Sequence, residues 1–211
     1  MAETSSVTEP YSDLGQQRQA AMMGMYIFLG SEIMLFGGIF AVAATIRILH
    51  SAEIVQASKA LHYLLGALNT AILLTSSFFV ALAVEEARGG RRHSTSAWLC
   101  GVIGLGVCFL LLKGYEYSLE YAEKLLPFPG AEVRFTGATQ HLFMNLYFVA
   151  TALHAIHLLV GLGLFLLLLG RVLRGGLVLP ERSIVLVVAG LYWHLVDVIW
   201  VFLYPVFYLA R

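Results

Sequence analysis

Long apolar stretches separated by short polar connections dominate the sequence. Five of them reach about the 20 residues that a helix needs to cross the hydrocarbon core of a bilayer. They occupy residues 22–49, 61–84, 97–115, 142–169 and 183–209. A spanning backbone must satisfy its own hydrogen bonds, and these stretches lack the alternation of a membrane barrel. We therefore predict an all-α integral membrane bundle of five transmembrane helices, one domain over residues 22–211, after a polar N-terminal segment, residues 1–21.

The composition supports a membrane environment. Hydrophobic residues make up 59% of the chain and charged residues 12%, whereas a soluble domain has roughly 45–50% and 25%. The formal net charge is zero, which argues against nucleic acid as a partner because phosphate binding needs a concentrated basic field. The sequence also contains no phosphate loop, zinc-binding HExxH or nucleophile elbow.

The connections between the predicted helices differ in charge. Arginines cluster in two short ones, residues 85–96 and 170–182, whereas the connections on the other side are more acidic and include Glu53 and Glu132. Lys and Arg accumulate in the cytoplasmic loops of membrane proteins. This asymmetry predicts a cytoplasmic N-terminus and a C-terminus outside.

Ionisable side chains lie well inside the predicted spans, and each is costly there, roughly 2.5–3.5 kcal/mol at the bilayer centre. They are Glu32, His154, His157, His194 and Asp197. We expect Glu32 to be protonated, or ionised only beside a partner. A proton-linked carboxyl and a helix-packing hydrogen bond are both compatible with its position.

The histidines occur in pairs at helical spacing, since His154 and His157 share one helix face, as do His194 and Asp197. Haem ligation between two helices or a metal site would use such pairs. Hydrogen bonding between helices is the favoured interpretation, with Asp197 pairing a histidine or an arginine, because no cysteine or carboxylate cluster completes a ligand set. We therefore predict no metal site.

Charged residues also mark the helix ends. Lys113, Glu116, Glu120 and Glu123 lie at the end of the third predicted helix, and we expect a solvated helix extension in which Glu116 is the residue most buried. Three arginines at helix ends are candidates for contacts with lipid headgroups, although they also serve as orientation signals. These arginines are Arg47, Arg88 and Arg171.

Several motifs resemble subunit III of cytochrome c oxidase. Residues 192–200 (YWHLVDVIW) match its closing signature, and residues 31–36 (SEIMLF) resemble its membrane-embedded glutamate motif. Residues 68–77, 114–117 (GYEY) and 148–161 (FVATALHAIHLLVG) resemble further family stretches and follow in family order. The resemblance covers nearly the whole chain, and the last motif is the specific one.

The resemblance implies a core subunit of a proton-pumping haem–copper oxidase in the bacterial cytoplasmic membrane. Such a subunit carries no haem or copper, packs mainly against catalytic subunit I, lies in a complex with subunit II, and can associate with other respiratory complexes. It binds phospholipid and supports proton uptake while its partners reduce oxygen with electrons from cytochrome c or quinol.

The resemblance also assigns residues. It makes Glu32 the buried carboxyl and places Glu116, His154 and His157 in an interior polar network, while His194 and Asp197 fix the last helix. This chain departs from the longer family members, which have seven helices, because the first two are missing here. The lipid cleft that those two helices form in longer members is therefore in question.

Two other interpretations remain open from the sequence. One is a related accessory subunit of a nitric oxide reductase. The other is a haem-carrying membrane cytochrome that uses His154 or His157 together with His194. A transporter is disfavoured, because matched pairs of glycine-broken helices are absent from the sequence.

Overall fold

The computed structural model describes residue 11 and residues 13–125 and 137–210. Residues 1–10 and 12 of the polar N-terminal segment lie outside this described part of the chain, as do Glu132 and Arg211. Within them the chain forms α1 (Leu14–Leu49), α2 (Ser51–Lys59), α3 (Tyr63–Arg88), α4 (Arg92–Ala122), α5 (Ala138–Leu173) and α6 (Ile184–Tyr208). All except α2 are long and apolar enough to cross a membrane. The predicted all-α bundle of five spans is confirmed, and its orientation stays a prediction.

Some helices extend beyond the apolar stretches from which they were predicted. Helix α1 begins inside the segment assigned as polar, where the Asp13 side chain accepts a hydrogen bond of 2.7 Å from the Gln16 amide and caps the helix. Helix α4 continues past Tyr115 to Ala122. A helix satisfies its own backbone hydrogen bonds in water as well as in lipid, so the change in polarity does not end it.

Helix α2 was not predicted because it is too short to span a bilayer. It buries Ile54 and Ala57 against the bundle. The Ser58 hydroxyl donates a hydrogen bond of 2.8 Å to the Phe207 carbonyl, one of the last carbonyls of α6, which have no partner inside their own helix. Helix α2 therefore fastens the C-terminal end of α6.

Helix α6 lies at the centre of the bundle and contacts α1, α2, α3 and α5. Its Trp193 is fully buried and lies against Gly106 of α4 and Gly161 of α5. A Cβ atom at Gly161 would come within 2.8 Å of the Trp193 ring, so glycine is what allows α5 to approach α6 here. The Trp193 indole donates to the Ser76 hydroxyl of α3 at 3.1 Å.

Helix α1 lies at the edge of the bundle, against α5 and α6. Among its described residues, Met25, Phe36, Ala43 and Ile46 are buried hydrophobics. Other large apolar side chains of α1 are exposed, with Met34 at 80% as an example. One side of α1 thus faces away from the rest of the chain.

Candidate functional site

A buried cluster of charged and phenolic side chains joins α4, α5 and α6. We call it the lysine cluster, and it consists of Lys113, Glu116, Glu120, Tyr147 and Tyr208. Lys113 Nζ donates to Glu116 Oε2 at 3.1 Å, to the Tyr147 hydroxyl at 2.8 Å and to the Tyr208 hydroxyl. The three ammonium protons therefore all have acceptors.

The two tyrosines pass hydrogen bonds on to the two carboxyl groups. The Tyr208 hydroxyl donates to Glu116 Oε1 at 2.6 Å, and the Tyr147 hydroxyl donates to Glu120 Oε1 at 2.7 Å. The two hydroxyl oxygens lie 2.8 Å apart. Each of the three helices thus supplies at least one member of a connected network.

Aromatic rings enclose the ammonium group of Lys113. Its Nζ lies 4.9 Å from the centres of the Tyr117 and Tyr147 rings and 5.4 Å from that of Trp200. Ring faces attract cations, most strongly where water is excluded. These contacts offset part of the cost of removing the lysine from water.

The expectation that Lys113 and Glu120 lie in a solvated helix extension is wrong. Lys113 is 3% exposed, and Glu116 and Glu120 are both 0% exposed. These residues continue the buried face of α4, which includes Val102, Gly106 and Phe109. Steps of three and four residues from Val102 to Glu120 are the signal in the sequence that could have identified this face.

A second polar pair lies near the middle of α1 and α5. Glu32 Oε2 is 2.8 Å from His157 Nε2, and the side chains are 13% and 16% exposed. His157 Nδ1 is 2.8 Å from the Leu153 carbonyl, so this nitrogen must carry a proton to make the hydrogen bond. Nε2 is then the ring nitrogen that faces the Glu32 carboxyl group. This contact is compatible with a Glu32 that is ionised beside a partner, which is one of the two states expected from the sequence.

The remaining predicted residues do not join this pair or the lysine cluster. His194 Nδ1 is 2.6 Å from the Ser77 hydroxyl of α3. His154 is fully buried between the rings of Phe109 and Trp200, with centroids 5.7 and 5.0 Å away. The structure therefore distributes the predicted polar network over several separate places.

Asp197 does not pair with a histidine or an arginine in the described part of the chain. Its side chain is buried at 2% exposure, and no histidine or arginine among the described residues forms an ion pair or hydrogen bond with it. The sequence-based pairing for this residue is wrong. Asp197 lies on the buried side of α6, and no basic side chain among the described residues contacts it there.

His157 and His194 do not form a facing pair for haem. His157 is directed to Glu32 of α1, whereas His194 is directed to Ser77 of α3. Among the described residues, no group of three histidine, cysteine or carboxylate side chains has the geometry of a metal site. Hydrogen bonding accounts for His157 and His194 without a ligand.

Of the three candidate arginines, Arg171 lines a cavity. The cavity has a volume of about 420 Å³ and lies between α1, α5 and α6, with mostly apolar walls that include Phe28, Leu164 and Val188. Arg47 lies exposed in the last turn of α1, and Arg88 lies 3.9 Å from Glu85 in the last turn of α3. Arg171 therefore combines a cation with an apolar space.

Comparison with known proteins places this architecture in a family. Residues 14–210 match the family model described as cytochrome c oxidase subunit III. The chain is 29% identical to cytochrome c oxidase subunit 3 of Thermostichus vulcanus over 89% of this chain and 86% of that protein. It is 28% identical to quinol oxidase subunit 3 of Bacillus spizizenii, over 99% and 96% of the two chains.

A third relative differs in length. The chain is 26% identical to heme-copper oxidase subunit I+III of Aeropyrum pernix, and the match covers 88% of this chain but 22% of that protein.

Proposed function

The chain belongs to the cytochrome c oxidase subunit III family, and we propose that it is the non-redox core subunit of a proton-pumping haem–copper oxidase. In this role it stabilises the catalytic subunit, binds phospholipid and supports proton uptake. The oxygen chemistry takes place in partner subunits, which hold the haem and copper. The Glu32–His157 pair is the observation that carries the proton-linked part of this proposal.

Glu32 and His157 are suited to holding and exchanging one proton. Glu32 Oε2 and His157 Nε2 lie 2.8 Å apart, so a carboxyl oxygen and a ring nitrogen that are each able to carry a proton face one another. Helix α1 carries Glu32 at the edge of the bundle, beside an apolar face with exposed side chains such as Ile33 and Met34. A partner helix that covers this face would enclose the pair and give it a protein neighbour with which to exchange the proton.

We propose that catalytic subunit I is the main partner. The relative named heme-copper oxidase subunit I+III supports this assignment, because its name places both subunits in one protein. Subunit II and other respiratory complexes are further candidates for contact. Arginine density in the two short loops supports a cytoplasmic N-terminus, and the membrane is the cytoplasmic membrane of a bacterium.

Phospholipid binding is supported by the cavity beside Arg171. Its walls suit an acyl chain, and the guanidinium at the end of α5 suits the phosphate of a headgroup. The cavity lies among helices that are all present in this chain. A lipid site here therefore does not depend on the two helices that longer family members possess.

Co-purification tests the proposed function. An affinity tag on this chain should recover a membrane complex that contains haem and copper and consumes oxygen, while the separated chain shows no haem spectrum. Recovery of nitric oxide reductase subunits would instead make the chain an accessory subunit of that enzyme. A Soret band from the isolated chain that disappears in His194→Ala and in either His154→Ala or His157→Ala would make it a cytochrome.

A further inference from the structure

The charges of the lysine cluster do not balance if both carboxyl groups are ionised. Lys113 contributes one positive charge, and Glu116 and Glu120 contribute one negative charge each. All three side chains are at most 3% exposed. An uncompensated charge in so buried a place is costly, and one bound proton makes the cluster neutral.

The hydrogen bonds identify the carboxyl group that holds this proton. Both oxygens of Glu116 accept hydrogen bonds, Oε2 from Lys113 and Oε1 from Tyr208. Glu120 Oε1 accepts from Tyr147, whereas Glu120 Oε2 is buried and has no hydrogen-bond partner among the described residues. Glu116 is therefore stabilised as the carboxylate that pairs with the lysine, and Glu120 Oε2 is the atom with room for a proton.

We propose that Glu120 binds one exchangeable proton at Oε2 and that the Glu123–His62 pair connects this proton to the aqueous surface. Glu123 lies three residues beyond Glu120 on α4, so the two side chains share a helix face. Glu123 Oε1 is 3.4 Å from His62 Nε2, and these side chains are 38% and 33% exposed. Both residues line a cavity of about 680 Å³ at this end of the bundle.

The groups around Glu120 come from every element packed at this end. Lys59 of α2 lines the same cavity as Glu123 and His62, and Tyr117 of α4 stands beside the cluster. The titratable and charged groups that face Glu120 or its route are Lys113, Glu116, Tyr117 and Glu123 of α4, Tyr147 of α5, Tyr208 of α6, His62 before α3 and Lys59 of α2. Lys113 is the one cation among them that contacts the buried carboxyl network directly.

This proton site is separate from the Glu32–His157 pair. It lies where α4 and α6 end and α5 begins, at the end of the bundle opposite the two arginine-rich connections. With the orientation given in the proposed function, this end faces the outside of the membrane, so Glu120 would exchange its proton with the outer surface. The side depends on that orientation, whereas proton binding at Glu120 does not.

Infrared spectroscopy of the purified complex tests the inference, because a protonated carboxyl group has a C=O stretch that a carboxylate lacks. The Glu120→Gln variant should lose one protonated-carboxyl band, and the matched control Glu85→Gln, an exposed glutamate of α3, should keep it. The glutamine is neutral and close in shape to the protonated acid, so the complex should assemble. An unchanged band in Glu120→Gln would overturn the proposal.

A second variant examines the charge balance. Lys113→Met removes the cation, so Glu116 should become protonated as well and one additional protonated-carboxyl band should appear. Spectra with no more protonated-carboxyl bands than those of the unmodified complex would contradict the charge argument. If this variant does not assemble, the Glu120→Gln comparison still decides the matter, and neither result depends on oxidase activity.

The exchange route has its own measurement. After transfer into D₂O, the band of Glu120 should shift, and this shift should be slower in Glu123→Gln and in His62→Gln than in the unmodified complex. An unchanged rate in both variants would refute the route through this pair. Glu53→Gln, at a partly exposed glutamate of α2 outside the cavity, serves as the control.

Discussion

The lysine cluster and the Glu32–His157 pair differ in how far the rest of the chain encloses their ionisable groups. The cluster is enclosed by three helices and satisfies Lys113 with three acceptors inside the chain. The pair joins two helices, and one of them, α1, leaves much of its surface uncovered. A complete network inside one chain stabilises the fold, whereas a two-residue contact at an exposed edge is available to a neighbouring protein. The variants below probe this difference, from the largest expected effect to the smallest.

Removing the lysine should destabilise the chain most. Lys113→Ala leaves the Glu116 carboxylate and the Tyr147 and Tyr208 hydroxyl groups without their common donor. Breaking a buried ion pair by deleting one partner costs about 3–5 kcal/mol. Denaturant titration of the purified chain in detergent should show this loss, and Lys59→Ala, at an exposed lysine of α2, should change stability little. Equal stabilities would mean that the cluster does not hold the three helices together.

Deleting one hydroxyl group of the cluster should have a smaller effect. Tyr208→Phe leaves a proton of Lys113 without its acceptor and removes the shorter of the two hydrogen bonds to Glu116 Oε1, and such losses cost about 1–3 kcal/mol. Tyr204→Phe is the matched control, because the Tyr204 hydroxyl makes an exposed contact of 3.3 Å with the Tyr63 carbonyl. The same titration should separate the two variants. A control that loses as much as Tyr208→Phe would assign the effect to general disturbance of α6.

Glu32→Gln should affect function more than stability. Glutamine still offers a hydrogen-bonding group to His157, so the expected loss of stability is about 0.5–1.5 kcal/mol. Oxygen consumption by the complex should begin normally and then fall during sustained turnover. The measurement is the time course of oxygen uptake together with subunit content. Collapse of the whole complex would show that Glu32 serves helix packing instead.

Arg171→Gln should have the smallest effect on stability, within about 0.5 kcal/mol. It should nevertheless reduce the amount of phospholipid that remains with the complex after purification, because the headgroup loses its cation. Mass spectrometry of the extracted lipid provides the measurement, and Arg88→Gln is the control at another helix end. Equal lipid content in the two variants would argue against a site in the cavity beside Arg171.

The five spans were predictable because each needs only a long apolar stretch, a property of neighbouring residues in the chain. Helix ends were less accessible, since α4 continues through polar residues to Ala122. Lys113 and Glu120 were missed because their polarity suggested solvent, although their positions continue the face of Val102 and Phe109. Helix α2 was missed because the prediction searched only for apolar stretches long enough to span a membrane, and α2 is shorter than that.

Partners across helices could not be predicted from spacing alone. Glu32 was expected to need a partner, but only the packing of α1 on α5 identifies His157. Tyr147 and Tyr208 belong to different helices, and their contacts with Lys113 depend on how α4, α5 and α6 are positioned along their axes relative to one another. Asp197 differs from Glu32 in this respect. Its carboxyl group suggested an ion pair, but it lies in the interior with no basic partner among the described residues.

The hydrogen bond from Ser58 to the Phe207 carbonyl has a mechanical consequence. Phe207 precedes Tyr208, so the surface connection between α1 and α3 is attached one residue away from a member of the lysine cluster. A protein that docks on this connection and shifts α2 would pull on the end of α6 and alter the strain on the Tyr208 hydroxyl. Such a contact at the membrane surface would act on a buried charge between the helices through a single backbone step.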